Sequence, residues 1–181
     1  LHQTMETGGG RMRDCLCADM IRHFQGDHRR IHHALVVSSY ATLISHGESL
    51  SDEIKDIVAY TALLHDIGIV ESERKYNSSS GRHQEIEGPP IARRMLEKYN
   101  LPKKLVDRVA YIISKHHSYD CIDGIDFQII VEADLLVNAA DEQLSHKALS
   151  LLYKRYFSTK KGKELFRLLF PSPFSNNGAE D

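Results

Sequence analysis

The sequence predicts an all-α fold, a single-domain helical bundle. Three observations predict it. Apolar residues recur at helical spacing in one segment after another. The breaks between segments carry N-cap, glycine or proline signals rather than hairpin signals. The chain has 181 residues, which fits one domain with a real core.

Taken in order, residues 1–10 are polar and Gly-rich, open on Leu1, and are expected to be disordered. Arg11 to Phe24 reads as a first helix, with Met12, Leu16, Met20 and His23 near one face. Asp27 suits an N-cap for a second helix from His28 to about Ser45, where His33, Val37, Tyr40 and Ile44 form one stripe. Ser51 starts a third, with Ile54, Val58, Thr61 and His65 in line and Gly68 as the stop. Glu71 to Arg82, centred on Asn77-Ser-Ser-Ser-Gly81, is expected to be the most mobile loop. Pro89 and Pro90 suit the first turn of a helix through Tyr99, with His83 just before it or on a helix that the prolines kink. Leu105, Val109, Ile112 and His116 form the next stripe, and Val106, Ala110, Ile113 and His117 an equally good one. Phe127 to Val131 has strand propensity, yet Ile130, Asp134 and Val137 share a helical face, so helix is expected through Ala140. Two amphipathic helices, Leu144 to Phe157 and Lys163 to Phe170, complete a domain spanning 11–170, and residues 171–181 are expected to be a disordered tail.

Composition removes several classes of function. With 41% apolar and 27% charged residues and a formal net charge of −2, nothing marks a nucleic-acid binder or a polybasic membrane patch. No apolar run approaches the ~20 residues that span a bilayer. The basic, aromatic stretch from Tyr153 to Lys163 reads as an amphipathic surface. Cys15, Cys17 and Cys121 are odd in number and lack disulfide or zinc spacing, which points to a reducing, cytoplasmic setting. Oligomeric state is not legible.

Chemistry concentrates where apolar stripes end or begin in His or Asp. His33, His65 with Asp66, His116 or His117, and Asp134 do so on separate helices, and His83 is a further candidate. Burying an adjacent His and Asp is costly without a partner. Helices in a bundle bring residues distant in sequence to one point in the core. Imidazole with carboxylate suits Mn, Fe, Co, Ni or Zn rather than Ca.

These motifs give the chain a family likeness. His33 within Arg30-Ile-His-His-Ala-Leu35, the run Leu64-His-Asp-Ile-Gly68, and Asp134 within Glu132-Ala-Asp-Leu-Leu136 follow the order H…HD…D. Over about Asp27 to Asp141 the chain resembles the HD-domain superfamily of metal-dependent phosphohydrolases. The resemblance implies that His33, His65, Asp66 and Asp134 bind one divalent metal. It further implies that His83 and His116 bind a second, with Asp66 bridging and His117 the rival of His116, since adjacent helical residues point ~100° apart.

The implied activity is hydrolysis of a small phosphoester, such as a nucleotide, with His65 and Asp66 as the catalytic pair. Arg30, Arg74, Lys75 and Arg82 are candidates for holding phosphate, the last three from a loop that closes over it. Ile69 stands where the HD-GYP branch has lysine, and Ile69 and Val70 stand where the alarmone hydrolases carry an acidic pair. The ligand order also resembles that of diiron oxygenases of the same fold, and a non-catalytic nucleotide-binding or signalling module is a third reading.

Overall fold

The structure, a computed structural model, describes residues 8–171. Among those residues there is no strand and there are nine α-helices: α1 Gly8–His23, α2 His28–Gly47, α3 Asp52–Leu64, α4 Ile69–Tyr76, α5 Gly81–Glu97, α6 Lys103–Ile113, α7 Ile125–Asp141, α8 His146–Tyr156 and α9 Lys160–Leu169. Among the described residues no helix is long and apolar enough to cross a membrane. The disorder expected at the two ends falls, for residues 1–7 and 172–181, outside the described residues. Helix α1 begins at Gly8, inside the stretch expected to be irregular.

Helix starts follow side-chain chemistry. The Asp27 carboxylate accepts the Arg30 N–H at 3.1 Å, Ser51 caps α3 by accepting from the Ile54 N–H, and Ser145 and Thr159 do the same for α8 and α9. The centre of the bundle is α7. Phe127, Ile129, Ile130, Ala133 and Leu136 are fully buried, so its apolar residues surround the axis instead of forming a stripe. That explains the strand-like run in the sequence: a helix packed on all sides needs no polar face. Helices α2 and α3 pack on α7 and on each other, α6 packs on α3 and α5, α8 packs on α7, and α9 packs on both α2 and α7.

Two expectations are corrected. The segment Glu71 to Arg82 is mostly helical. Helix α4 runs to Tyr76, Asn77 ends it in the left-handed region at φ 50°, and α5 begins at Gly81. Apolar residues are too few in α4 to give a readable stripe. It is held by a buried Ser72, whose hydroxyl donates to the Ser78 carbonyl at 2.6 Å, and by Glu71, which pairs with Arg74 and Lys75 one turn on. The prolines lie inside α5 rather than at its first turn, so His83 is on the same helix as the prolines, the second of its two expected placements. They leave the Glu85 and Ile86 carbonyls without their helical donors, and α5 still runs through them, packed on α4 and α6.

The adjacent His and Asp sit at the turn between α3 and α4. His65 is the C-cap of α3, and Asp66, Ile67 and Gly68 carry the chain into α4. A Cβ on Gly68 would lie 2.5 Å from the Gly88 backbone nitrogen, so only glycine lets this turn dock against α5.

Candidate metal centre

Helices α2, α3 and α7 meet where His33, His65 and Asp134 face one another, and the turn after α3 adds Asp66. The Nε2 of His33 lies 3.1 Å from Asp134 Oδ1, 3.2 Å from His65 Nε2 and 3.7 Å from Asp66 Oδ2. The Nε2 of His65 lies 3.5 Å from the same Asp66 oxygen and 3.7 Å from Asp134 Oδ1. The other Asp66 oxygen, Oδ1, faces a different imidazole, with His116 Nε2 at 3.4 Å.

Among the described residues, two groups of side chains that can hold a metal result, and Asp66 belongs to both. His33, His65 and Asp66 form one, and Asp66, His116 and His117 the other, each with potential ligand atoms within 4.8 Å of one another. Backbone carbonyls orient two of the rings. Nδ1–H of His65 donates to the Ala62 carbonyl at 2.9 Å, and Nδ1–H of His116 donates to the Ile113 carbonyl at 2.8 Å. A neutral ring so fixed turns its Nε2 lone pair inward. The Nε2 of His116 is buried and, beyond its approach to Asp66, has no hydrogen-bond partner among the described residues. Inward lone pairs and two carboxylates form a donor set that fits a divalent cation.

The electrostatics agree. Burial alone would push His65 down, but Asp66 and Asp134 overcome it and hold its pKa up at about 9. Burial would likewise raise both carboxyls, yet His65 and His116 hold Asp66, and His33 and His65 hold Asp134, far below the usual carboxylate range. Without a metal ion, a proton on His65 supplies positive charge to this cluster.

His117 differs from its expected role. Helix α6 ends at Ile113, so His116 and His117 lie in a turn and the ~100° helical offset does not apply. Their rings are 3.9 Å apart and both reach Asp66. The Nε2–H of His117 can donate to Gln84 Oε1 at 3.4 Å, and its backbone N–H donates to Glu85 at 3.1 Å. Desolvation by the surrounding atoms, and then the neighbouring His116, push its pKa down to about 4.

His83 joins neither group. Its ring stacks on Tyr76 at 4.1 Å and its Nδ1 meets the Ser80 hydroxyl at 3.1 Å, so the place expected for it beside Asp66 is taken by His117. Of the expected phosphate-binding residues, only Arg30 borders the cleft that opens over His33 and Asp66, a space of about 420 Å³. Its guanidinium is committed to Asp27 at 3.0 Å and Glu73 at 2.6 Å. Arg74 pairs with Glu71, and Lys75 with Glu87 and Glu71, and Lys75 lines a separate cleft with His23 and Arg94. Arg82 is exposed on the first turn of α5. The loop expected to carry these three over a phosphate is instead the α4–α5 pair.

The cleft also shows residues that the sequence pattern did not single out: Ser79, Asn138, Asp141 and Glu142. Asn138 and Asp141 follow Asp134 at i+4 and i+7, so extending its helical stripe outward would have found them. Arg29 precedes His33 by one turn and borders the same space.

Comparison with known proteins agrees with this geometry. The family model described as HD domain matches residues 30–144. No curated protein matches the chain. Among solved structures, the crystal structure of a predicted HD superfamily hydrolase from an uncultured Thermotogales bacterium superposes with a TM-score of 0.63. It is 18% identical, and the match covers 90% of this chain and 85% of that one, a likeness of fold. The family match spans most of the chain and contains His33, His65, Asp66, His116, His117 and Asp134: this chain belongs to the HD domain family.

Proposed function

We propose that the chain is a metal-dependent phosphohydrolase that cleaves a small phosphoester at the Asp66 centre. One observation carries this reading: the two oxygens of Asp66 face two different histidine groups, as a carboxylate shared between two cations would. His33, His65 and Asp134 would hold one ion, His116 and His117 the other, and Asp66 both. A divalent metal in such a site supplies a more acidic water and positive charge for a phosphoryl oxygen.

The protein's own residues do the rest. Asp66 stays ionised across the neutral range, so it can accept a hydrogen bond from an attacking water and aim it. The Ala62 and Ile113 carbonyls hold the His65 and His116 rings in one orientation, and Gln84 holds His117. Asp27 and Glu73 hold Arg30 at the cleft edge, while Arg29 has no ion pair among the described residues and is available to an anionic substrate.

A panel of phosphoesters assayed with Mn, Co, Ni, Fe, Zn and Mg, beside elemental analysis of the untreated protein, tests the proposal. Hydrolysis that needs one of these metals and disappears in Asp66→Ala supports it. Iron-dependent oxygen uptake with no phosphate release from any compound overturns it.

A further inference from the structure

Two helical stripes frame the cleft above the metal-holding groups, and their charges differ. On α2, Arg29 lies one turn before His33. On α7, Asn138 and Asp141 continue the stripe that begins at Asp134, and Glu142 follows. Among the described residues Arg29 has no ion pair, whereas Arg30 is divided between Asp27 and Glu73. One arginine is therefore open to an anionic group beyond the metal-holding residues. The facing wall is of the opposite kind. Asp141 and Glu142 are exposed, their side-chain carboxylates have no hydrogen-bond or ion-pair partner among the described residues, and Asn138 beside them is half-buried.

Carboxylates accept hydrogen bonds and cannot donate them, so this wall suits hydroxyl groups and repels phosphate. Two carboxylates a few ångströms from a second phosphate, still wetted by solvent, cost about tenfold in transition-state affinity. The cleft volume of about 420 Å³ is that of a small-ligand pocket.

We propose that this cleft selects a monophosphate ester of a polyhydroxylated alcohol, a sugar or ribose phosphate, and that Asp141 and Glu142 exclude substrates carrying further phosphates. Arg29 holds the single phosphate at the Asp66 centre, while Asn138, Asp141 and Glu142 receive the hydroxyls of the leaving alcohol. The proposal rests on the phosphohydrolase reading of the Asp66 centre.

Four probes separate the two ideas: ribose 5-phosphate, adenosine 5′-monophosphate, adenosine 5′-triphosphate and phenyl phosphate, each with the most activating metal. The wild-type chain is expected to favour the two ribose monophosphates over both the triphosphate and the hydroxyl-free phenyl ester by about tenfold or more in kcat/KM. The double variant D141N/E142Q, with unchanged metal content, should narrow the gap to the triphosphate by about tenfold. Calorimetric binding of the same compounds to chelator-stripped protein should follow the same order and the same change. Hydrolysis that favours the triphosphate, or a ratio unmoved by the double variant, overturns the specificity proposal and leaves the phosphohydrolase reading standing. No turnover of any of the four overturns the specificity proposal, and the phosphohydrolase reading is then decided by the wider phosphoester panel.

Discussion

The Nε2 atoms of His33 and His65 lie 3.2 Å apart. Because Nδ1 of His65 already donates to the Ala62 carbonyl, a neutral His65 has only a lone pair to offer His33. That contact is satisfied by a proton or by a cation, and the two compete for the same space.

The competition has a pH signature. His65 titrates at about 9 in the folded chain against 6.5 unfolded, held up by Asp66 and Asp134 against its burial. A pKa raised by folding contributes stability that is fully present below the unfolded value and is lost as pH rises through the folded one. Chelator-treated protein is therefore expected to lose thermal stability between about pH 6.5 and 9. Restoring a divalent metal should flatten that decline, since ligand deprotonation favours metal. Thermal melts across this window, with and without chelator, check it; a chelated protein that gains stability there contradicts the arrangement.

Metal stoichiometry distinguishes the two groups. The untreated protein is expected to hold about two transition-metal ions per chain. Asp66→Ala should remove essentially all of them, and His117→Ala should lower the content by about one. His83→Ala should leave it unchanged, because that ring is stacked on Tyr76 away from Asp66. Elemental analysis of the three variants decides the matter. A loss in His83→Ala with none in His117→Ala would reverse the assignment.

Much of this arrangement is legible in the sequence, and the failures have identifiable causes. His33, His65 and Asp134 are readable because each ends or lies on an apolar stripe, and burial of such groups calls for a partner. Helix α7 is ambiguous, since it is buried along most of its length and shows no clear periodicity there. Helix α4 escapes detection because ion pairs and a buried serine, not an apolar stripe, hold it together. His117 is underrated when a helical offset is applied where the helix has already ended. Where α6 stops depends on the packing of its last turn, and nothing in Ile113-Ser-Lys-His-His117 marks it.

The start of α7 depends on Arg108. Its guanidinium forms paired hydrogen bonds to Asp126 at 2.7 Å and reaches Asp123 at 2.7 and 3.0 Å. These contacts hold the Asp123 carboxyl below its usual range. Arg108→Ala leaves a buried Asp126 without its cation and should destabilise the fold by about 2 kcal/mol, a value moderated by partial exposure of the pair. Urea denaturation of the variant measures this; a midpoint equal to wild type would show the cluster to be energetically idle.

Gly162 meets a harder limit. A Cβ there would lie 1.8 Å from Glu132 Oε2 and 2.6 Å from the Thr159 hydroxyl. Gly162→Ala should cost about 2–3 kcal/mol through forced displacement of this packing. The same substitution at Gly10, where a Cβ meets nothing within 4 Å among the described residues, should instead be neutral or slightly favourable. Thermal melts of the two variants make the comparison.

Glu132 and Asp134 stand two residues apart on α7, so they project ~200° from each other around the helix axis. Asp134 faces the histidines, while Glu132 accepts the Ser158 and Thr159 backbone N–H groups and the Thr159 hydroxyl at the joint between α8 and α9. The C-terminal pair of helices thus splints the helix that carries Asp134. A protease nick at that joint, on the side of α7 turned away from Asp134, would be expected to slacken Asp134 and to weaken the hold on any cation it ligates.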